Sequence, residues 1–111
     1  MQLPIGNEGA LNGGTAVDVV ASPAASKQRI IPVNGLSVYN ADTVAHTYTF
    51  KKVKGGSTYV VWIAPTVAAG ALALLAKPVT LDATDEKLQV VYEGAKTTTE
   101  STFDFSGLEV S

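Results

Sequence analysis

The sequence predicts an all-β protein, a single antiparallel β-sandwich of jelly-roll or immunoglobulin-like type with about eight short strands. Three observations support this fold. Apolar and polar residues alternate in several segments, most clearly around Leu88, Val90 and Tyr92, as in a strand with one buried face. Polar or glycine-containing turns separate these segments at intervals of about 8–12 residues. The chain has 111 residues, 46% of them hydrophobic, which suits one domain with a single core.

The first 14 residues are expected to differ from the rest of the chain. Glycines and one proline are scattered through residues 1–14 without a strand or helix period. This favours an extended N-terminal arm beside a sandwich domain of residues 15–111. The arm is either a loose terminus or a segment that becomes ordered against a neighbouring subunit. In the second case its apolar anchors would be Leu3, Ile5 and Leu11.

Three extended stretches are predicted in the first half of the domain. Thr15–Ala21 is the first strand. Lys27–Asn40 is a long stretch interrupted at Pro32 and at Asn34-Gly35. Because proline lacks an amide donor, we expect a bend there, with a tight hairpin as the alternative. Val44–Val53 alternates regularly and is predicted as a strand.

The second half of the domain begins with a hairpin. Lys54-Gly55-Gly56 has the composition of a tight turn and leads into a strand over Ser57–Pro65. Regular alternation along that strand would place Tyr59 and Trp62 on opposite faces, so that they could not form one aromatic platform. A core position and an interface contact are both favoured over a sugar site for these two residues.

The remaining segments are also predicted as strands. Ala71–Ala76 is too short for a stable helix between Gly70 and Pro78 and is predicted as a strand. Pro78–Tyr92 is predicted as a hairpin closed by a polar turn. Thr97–Val110 is the predicted last strand, with a bend at Gly107.

The search for catalytic and metal-binding residues favours no reaction. The single histidine, His46, lies in an alternating strand, and the chain has no cysteine, so a zinc site would need mostly carboxylate ligands. The composition includes the residue types of a Ser-His-Asp triad, so a triad stays an alternative, but the sequence contains no G-x-S-x-G motif. A histidine that is packed or hydrogen-bonded within a sheet is the favoured interpretation. We therefore expect no enzyme, no catalytic residue and no cofactor.

The densest group of carboxylates is Asp82, Asp85 and Glu86. Its spacing does not match the D-x-[DN]-x-[DN]-G pattern of a calcium loop. Hydrogen bonds from the turn's own backbone amides to these side chains are favoured over a metal site. We expect no metal.

Lysines are concentrated at the end of one predicted strand. Lys52 and Lys54 share a face there, and Lys51 lies on the other. These lysines either keep the hairpin tip from pairing with another edge or contact an acidic patch on a partner. Lys52, Lys54, Tyr59 and Trp62 are therefore candidate partner-binding residues, together with the anchors of the arm.

Charge and hydropathy limit the classes of partner. The net charge is −2, which gives no electrostatic case for nucleic acid. The most apolar stretch, Trp62–Ala76, contains a proline and a glycine and is shorter than the roughly 20 residues of a membrane span. The N-terminus lacks the pattern of a signal peptide. Charged residues make up only 16%, which indicates either a surface covered by partners or one rich in Thr, Ser, Gly and Ala.

Several segments together resemble small virion structural proteins of tailed bacteriophages, which are single β-sandwich domains on the capsid or in the tail. The segments that carry the resemblance are Lys27–Ile31, Leu36–Thr43, Thr47–Phe50, Gly55–Tyr59, Pro78–Leu88 and the closing polar strand. The resemblance implies assembly on a symmetric shell or tube, and it supplies no catalytic residues.

These expectations combine into one functional hypothesis. We expect a capsid decoration (cement) protein that bridges major capsid subunits, associates with itself as a trimer, and belongs to a virion assembled in the host cytoplasm. Membrane, nucleic acid and small-molecule substrates are not expected as partners. Two alternatives stay open: a minor tail, baseplate or fibre-attachment protein, and a carbohydrate-binding module.

Overall fold

A computed structural model describes the whole chain, Met1–Ser111. It contains ten β-strands, and no helix has the length and apolarity that a membrane crossing requires. The strands are β1 (Gln2–Ala10), β2 (Val17–Val20), β3 (Gln28–Ile31), β4 (Leu36–Tyr39), β5 (His46–Lys54), β6 (Ser57–Val67), β7 (Leu72–Leu74), β8 (Val79–Leu81), β9 (Glu86–Tyr92) and β10 (Thr102–Val110).

The ten strands form two antiparallel sheets that pack face to face. In the first sheet, β10 pairs with β1 along one side and with β4 and β3 in succession along the other. Next to them, β7 pairs with β4 and β8 pairs with β3. The strands β4 and β3 therefore follow one another in one row of the sheet, and β7 and β8 follow one another in the next row. The second sheet has the order β2-β9-β5-β6. Eight rows in two sheets connected in this way form a jelly roll, which confirms the predicted sandwich.

The core lies between the sheets and is built from alternate residues of each strand. The inward-facing positions of β5 and β9 include Tyr48, Phe50, Leu88 and Val90, all fully buried. Their partners across the core include Leu36 and Val38 of β4. Because a strand turns successive side chains to opposite faces, the alternation in the sequence identifies this core correctly.

The bend predicted near Asn34 is confirmed. Asn34 has a positive φ of 65° and separates β3 from β4. Both strands pair with β10 and not with each other, so the alternative of a tight hairpin is wrong.

The hairpin predicted for Pro78–Tyr92 is wrong. β8 pairs with β3 in the first sheet, whereas β9 pairs with β2 and β5 in the second. The turn between them therefore crosses from one sheet to the other. The apolar face of each strand is predicted correctly. The two faces oppose each other across the core, whereas in a hairpin they would lie side by side in one sheet.

Two features of the last segment also differ from expectation. The strand begins at Thr102, and residues 97–101 form a loop. β10 continues through Gly107, where no bend occurs. A side chain at Gly107 would collide with the carbonyl oxygen of Ile30, so glycine allows the neighbouring strand to approach closely.

The N-terminal segment is extended and lies on the first sheet. Gln2–Ala10 pairs with β10 over nine residues, and Leu11 is buried in the core. β1 has no partner on its other side and is exposed along almost all of its length. Its contact with a neighbouring subunit, and the division of the chain at residue 14, stay predictions.

Candidate interaction surface

The edge strand β6 exposes more large apolar side chains than any other strand. It is eleven residues long, carries no charged residue, and pairs only with β5. The exposed fractions are 55% for Tyr59, 59% for Val60, 38% for Trp62 and 48% for Ile63. We call these four residues the β6 strip. They lie along one edge strand, two on each face of the sheet. Exposed apolar groups concentrated in this way are characteristic of an interaction site.

A bulge in β6 changes the expected arrangement of its aromatic residues. Trp62 lies opposite Phe50 and Tyr59 lies opposite Lys52, while Val61 is the extra residue between them. Directly opposed residues share a face, so Tyr59 and Trp62 lie on the same face of the sheet. The prediction that they lie on opposite faces is wrong, because regular alternation does not continue through a bulge.

The same irregularities limit how a partner can use this edge. Besides the bulge, β6 contains Pro65, which has no amide hydrogen, and Thr66, which has a positive φ of 51°. Both interrupt the row of backbone groups that another strand would need for pairing. A partner would therefore contact the β6 strip mainly through side chains.

The three lysines near the hairpin tip have different environments. The Nζ of Lys52 lies 2.9 Å from the carbonyl oxygen of Thr80 and 2.7 Å from Oε1 of the buried Glu86. Lys51 and Lys54 form no ion pair within the chain. Of the two lysines predicted to bind a partner, Lys52 therefore already has partners within the chain, whereas Lys54 is exposed.

The predicted anchors of the N-terminal segment are also placed differently from one another. Leu3 is exposed, Ile5 is partly buried against the core, and Leu11 is almost fully buried. Only Leu3 therefore offers an apolar side chain directly to a partner in this conformation.

A buried polar cluster closes the end of the sandwich at which β5 begins. The carboxylate of Asp42 accepts hydrogen bonds from the backbone amides of Thr97, Thr98 and Thr99 at 2.7, 2.8 and 3.3 Å. It also accepts one from its neighbour Thr43 at 2.9 Å. The Thr97 amide makes the largest contribution to lowering the pKa of Asp42 well below its usual range. Asp42 therefore holds the 97–101 loop as a carboxylate.

His46 joins this cluster to the exposed Glu93. Its Nε2 lies 2.7 Å from Asp42 Oδ2, and its Nδ1 lies 3.0 Å from Glu93 Oε1. Burial opposes the charged imidazolium, but the hydrogen bonds to the two carboxylates outweigh it and raise the pKa of His46. Both ring nitrogens act as donors in this form, so neither is free to accept a proton from a nucleophile. The prediction of a buried, hydrogen-bonded histidine is confirmed.

This cluster makes stability depend on pH in a defined direction. Since the pKa of His46 is raised on folding, its contribution is complete below the unfolded value of about 6.5 and is lost as pH rises through the folded value. We expect the free energy of unfolding, measured by urea titration between pH 6 and 9, to fall as pH rises. His46→Gln should remove most of this slope, and an equal slope in the variant would contradict the assignment.

The acidic turn between β8 and β9 has a structural role. Glu86 is fully buried beside Lys52, and the backbone turn closes through its amide to the carbonyl oxygen of Ala83 at 3.1 Å. Asp82 interacts with the carboxylate of Glu86, and this interaction raises the pKa of Asp82. The side chains of Asp82 and Asp85 accept no hydrogen bond from the turn's amides, so that expectation is wrong, and Glu86 forms an ion pair with Lys52.

Sequence reasoning missed Asp42, whose partners lie 55 to 57 positions away in the chain. One signal was present: an aspartate four residues before the only histidine, next to a strand that buries its even positions.

No protein-family model and no curated protein matches the sequence. Solved structures do share the fold. A chain in the structure of infectious bursal disease virus Gx strain has a TM-score of 0.53 and 13% identity, covering 98% of this chain and 32% of that chain. The Gt strain gives 0.51 and 14%, covering 98% and 30%. This jelly roll also occurs in virus structures. The present chain spans about a third of the length of those two chains, and at these identities the likeness concerns the fold alone.

A weaker likeness involves a phage. A chain of the cyanophage Pam1 capsid asymmetric unit has a TM-score of 0.44 and 15% identity, covering 97% of this chain and 80% of that chain. This score is too low to support an argument about the present protein.

Proposed function

We propose that this protein is a non-enzymatic structural component of a phage virion, most specifically a capsid decoration protein that bridges major capsid subunits. The observation that carries the proposal is the β6 strip, an uncharged apolar edge on a jelly roll whose fold also occurs in virus structures. The low content of charged residues supports the same conclusion, since a covered surface needs less charge.

The remaining candidate contacts fit a bridging role. Leu3 lies on the exposed strand β1, and Lys54 lies at the hairpin tip, so contacts could form at more than one edge of the sandwich. A modest contact repeated around a closed shell adds up to a large stabilisation without a new kind of bond. The partners are the major capsid protein and further copies of this chain, with a trimer as the expected form.

Particles that lack the protein provide the test. We expect them to lose their genome at a lower temperature than complete particles, measured by release of a DNA-binding dye during heating. Adding back the purified protein should restore the original temperature. Particles that resist heat equally with and without the protein would rule out the cement role.

Imaging of complete particles distinguishes a position on the head from the alternative position in the tail. A decoration protein is present at many equivalent positions on the head, whereas a tail, baseplate or fibre-attachment protein is present in a ring or in a few copies. Density for this chain only on the tail would replace the cement role by the tail role.

One observation favours a second class of function. Because the bulge places Tyr59 and Trp62 on one face, these two aromatic residues are available together to stack on a sugar, as in carbohydrate-binding modules. Binding on a glycan array that disappears in Trp62→Ala would support that function, and an array without signal would exclude it.

A further inference from the structure

We propose that copies of this chain bind one another head to tail, with the β5–β6 hairpin tip of one copy seated in an acidic depression of the next. The inference deepens the proposed function by naming the surfaces through which copies meet. The contact between copies can be measured on the purified chain without the particle, so the self-association and the cement role can be disproved separately.

The depression lies on the outer face of the first sheet, where β1, β10, β4 and β7 run side by side. It encloses about 570 Å³. Its main lining residues are Glu8, Ser37, Tyr39, Leu72, Thr102 and Asp104. Tyr39 and Leu72 are cross-strand neighbours and are both exposed, so they form an apolar floor that faces solvent in the isolated chain.

Two unpaired carboxylates border this floor. Glu8 and Asp104 lie directly opposite each other on β1 and β10. Neither has an ion-pair partner within the chain. Like charges directly opposite each other destabilise a pair of strands, and a cation placed between them removes that repulsion. The depression therefore fits a partner that is both apolar and cationic.

The tip of the β5–β6 hairpin has that chemistry. Lys51 and Lys54 are the lysines without an ion pair at this tip. Lys54 shares one face of the hairpin with Tyr59, which is more than half exposed, and Lys51 lies on the other face, so the tip presents both lysines when it enters a depression end-on. Lys52 is excluded from the contact because it is bound to Thr80 and Glu86. Apolar groups and lysines on the tip thus match the apolar floor and carboxylates of the depression.

The two surfaces lie towards opposite ends of the sandwich, so one copy cannot satisfy both by itself. The tip is fixed next to β8 through Lys52 and Thr80, and β8 lies beside β3, which pairs with Leu108–Val110. The depression lies at Thr102–Asp104, about 20 Å away along β10 at the usual rise of a strand. A contact between unlike surfaces is heterologous, and it generates a ring when the rotation closes.

Charge reversal tests the contact by sedimentation equilibrium of the purified chain. We expect Glu8→Lys/Asp104→Lys, and separately Lys51→Glu/Lys54→Glu, to weaken self-association by about tenfold or more, since each turns two attractions into repulsions. Mixing the two variants should restore association, because each tip then meets a depression of opposite charge. The control for the lysine reversal is Lys77→Glu/Lys96→Glu, which makes the same change in net charge at exposed lysines outside both surfaces.

Each outcome decides the inference. Loss in both reversed variants, recovery in the mixture and wild-type association in the control would support it. A wild-type chain that stays monomeric up to millimolar concentration, or a mixture that does not recover, would overturn it. Circular dichroism of each variant verifies that the chain is folded. If association follows these charges but particles are equally stable without the protein, the contact stands and the cement role fails.

Discussion

Asp42→Asn is expected to lower the melting temperature by on the order of 10–20 °C, the largest effect of any polar substitution in the chain. Asp42 Oδ1 accepts the amides of Thr43, Thr98 and Thr99, and Oδ2 accepts the Thr97 amide and His46 Nε2. Asparagine keeps one oxygen but replaces the other by an amino group. With the amino group in place of Oδ2, the Thr97 amide and His46 Nε2 would both face another donor in a buried position.

The physical reason is that these donors have no other acceptor. A buried amide without a partner loses its hydration and gains nothing in exchange. The loop at residues 97–101 would detach from the end of the sandwich, and Ser101 would lose its 2.6 Å hydrogen bond with the buried Tyr48 hydroxyl.

Thermal unfolding followed by circular dichroism measures the effect, and hydrogen exchange at Thr97 and Thr98 locates it. Glu93→Gln is the matched control, because the exposed Glu93 interacts with the same histidine but holds only one backbone amide, that of Thr47. We expect a much smaller change in that variant. If both variants melt within a few degrees of the wild type, Asp42 does not organise the loop.

Local patterns predicted most strands but not the way in which they combine. Alternation in the sequence predicts β5 and β9, because each buries alternate residues and this period depends only on neighbours in the chain. Whether two adjacent strands lie side by side or face to face depends on the whole core. For this reason the sequence predicts a hairpin at Pro78–Tyr92, although β8 and β9 belong to different sheets.

The candidate surface shows the same division. The strand that carries Tyr59 and Trp62 is predicted correctly, since Ser57–Pro65 follows a clear hairpin turn. The bulge at Val61 was not visible, because consecutive valines fit either face of a strand. The outer depression could not be predicted either, since Glu8 and Asp104 are 96 positions apart and meet only through the pairing of β1 with β10.

Val60→Glu/Ile63→Glu is expected to weaken binding to the shell by at least 100-fold while leaving the fold intact. Both residues point away from the core, opposite Lys51 and Thr49, and about half of each side chain is exposed. Their replacement should change the free energy of unfolding by only about 0.5 kcal/mol, since no packed neighbour is lost. At an interface, by contrast, two buried carboxylates without partners are strongly unfavourable.

Co-sedimentation of the purified variant with particles stripped of this protein measures the affinity. Val33→Glu serves as the control, because Val33 is similarly exposed but lies in the bend between β3 and β4, away from the β6 strip. The control should bind as the wild type does. Since the β6 strip is apolar, wild-type binding should also persist at high salt, where contacts between exposed charges are screened. Equal binding by the double variant and the control would assign the shell contact to another surface.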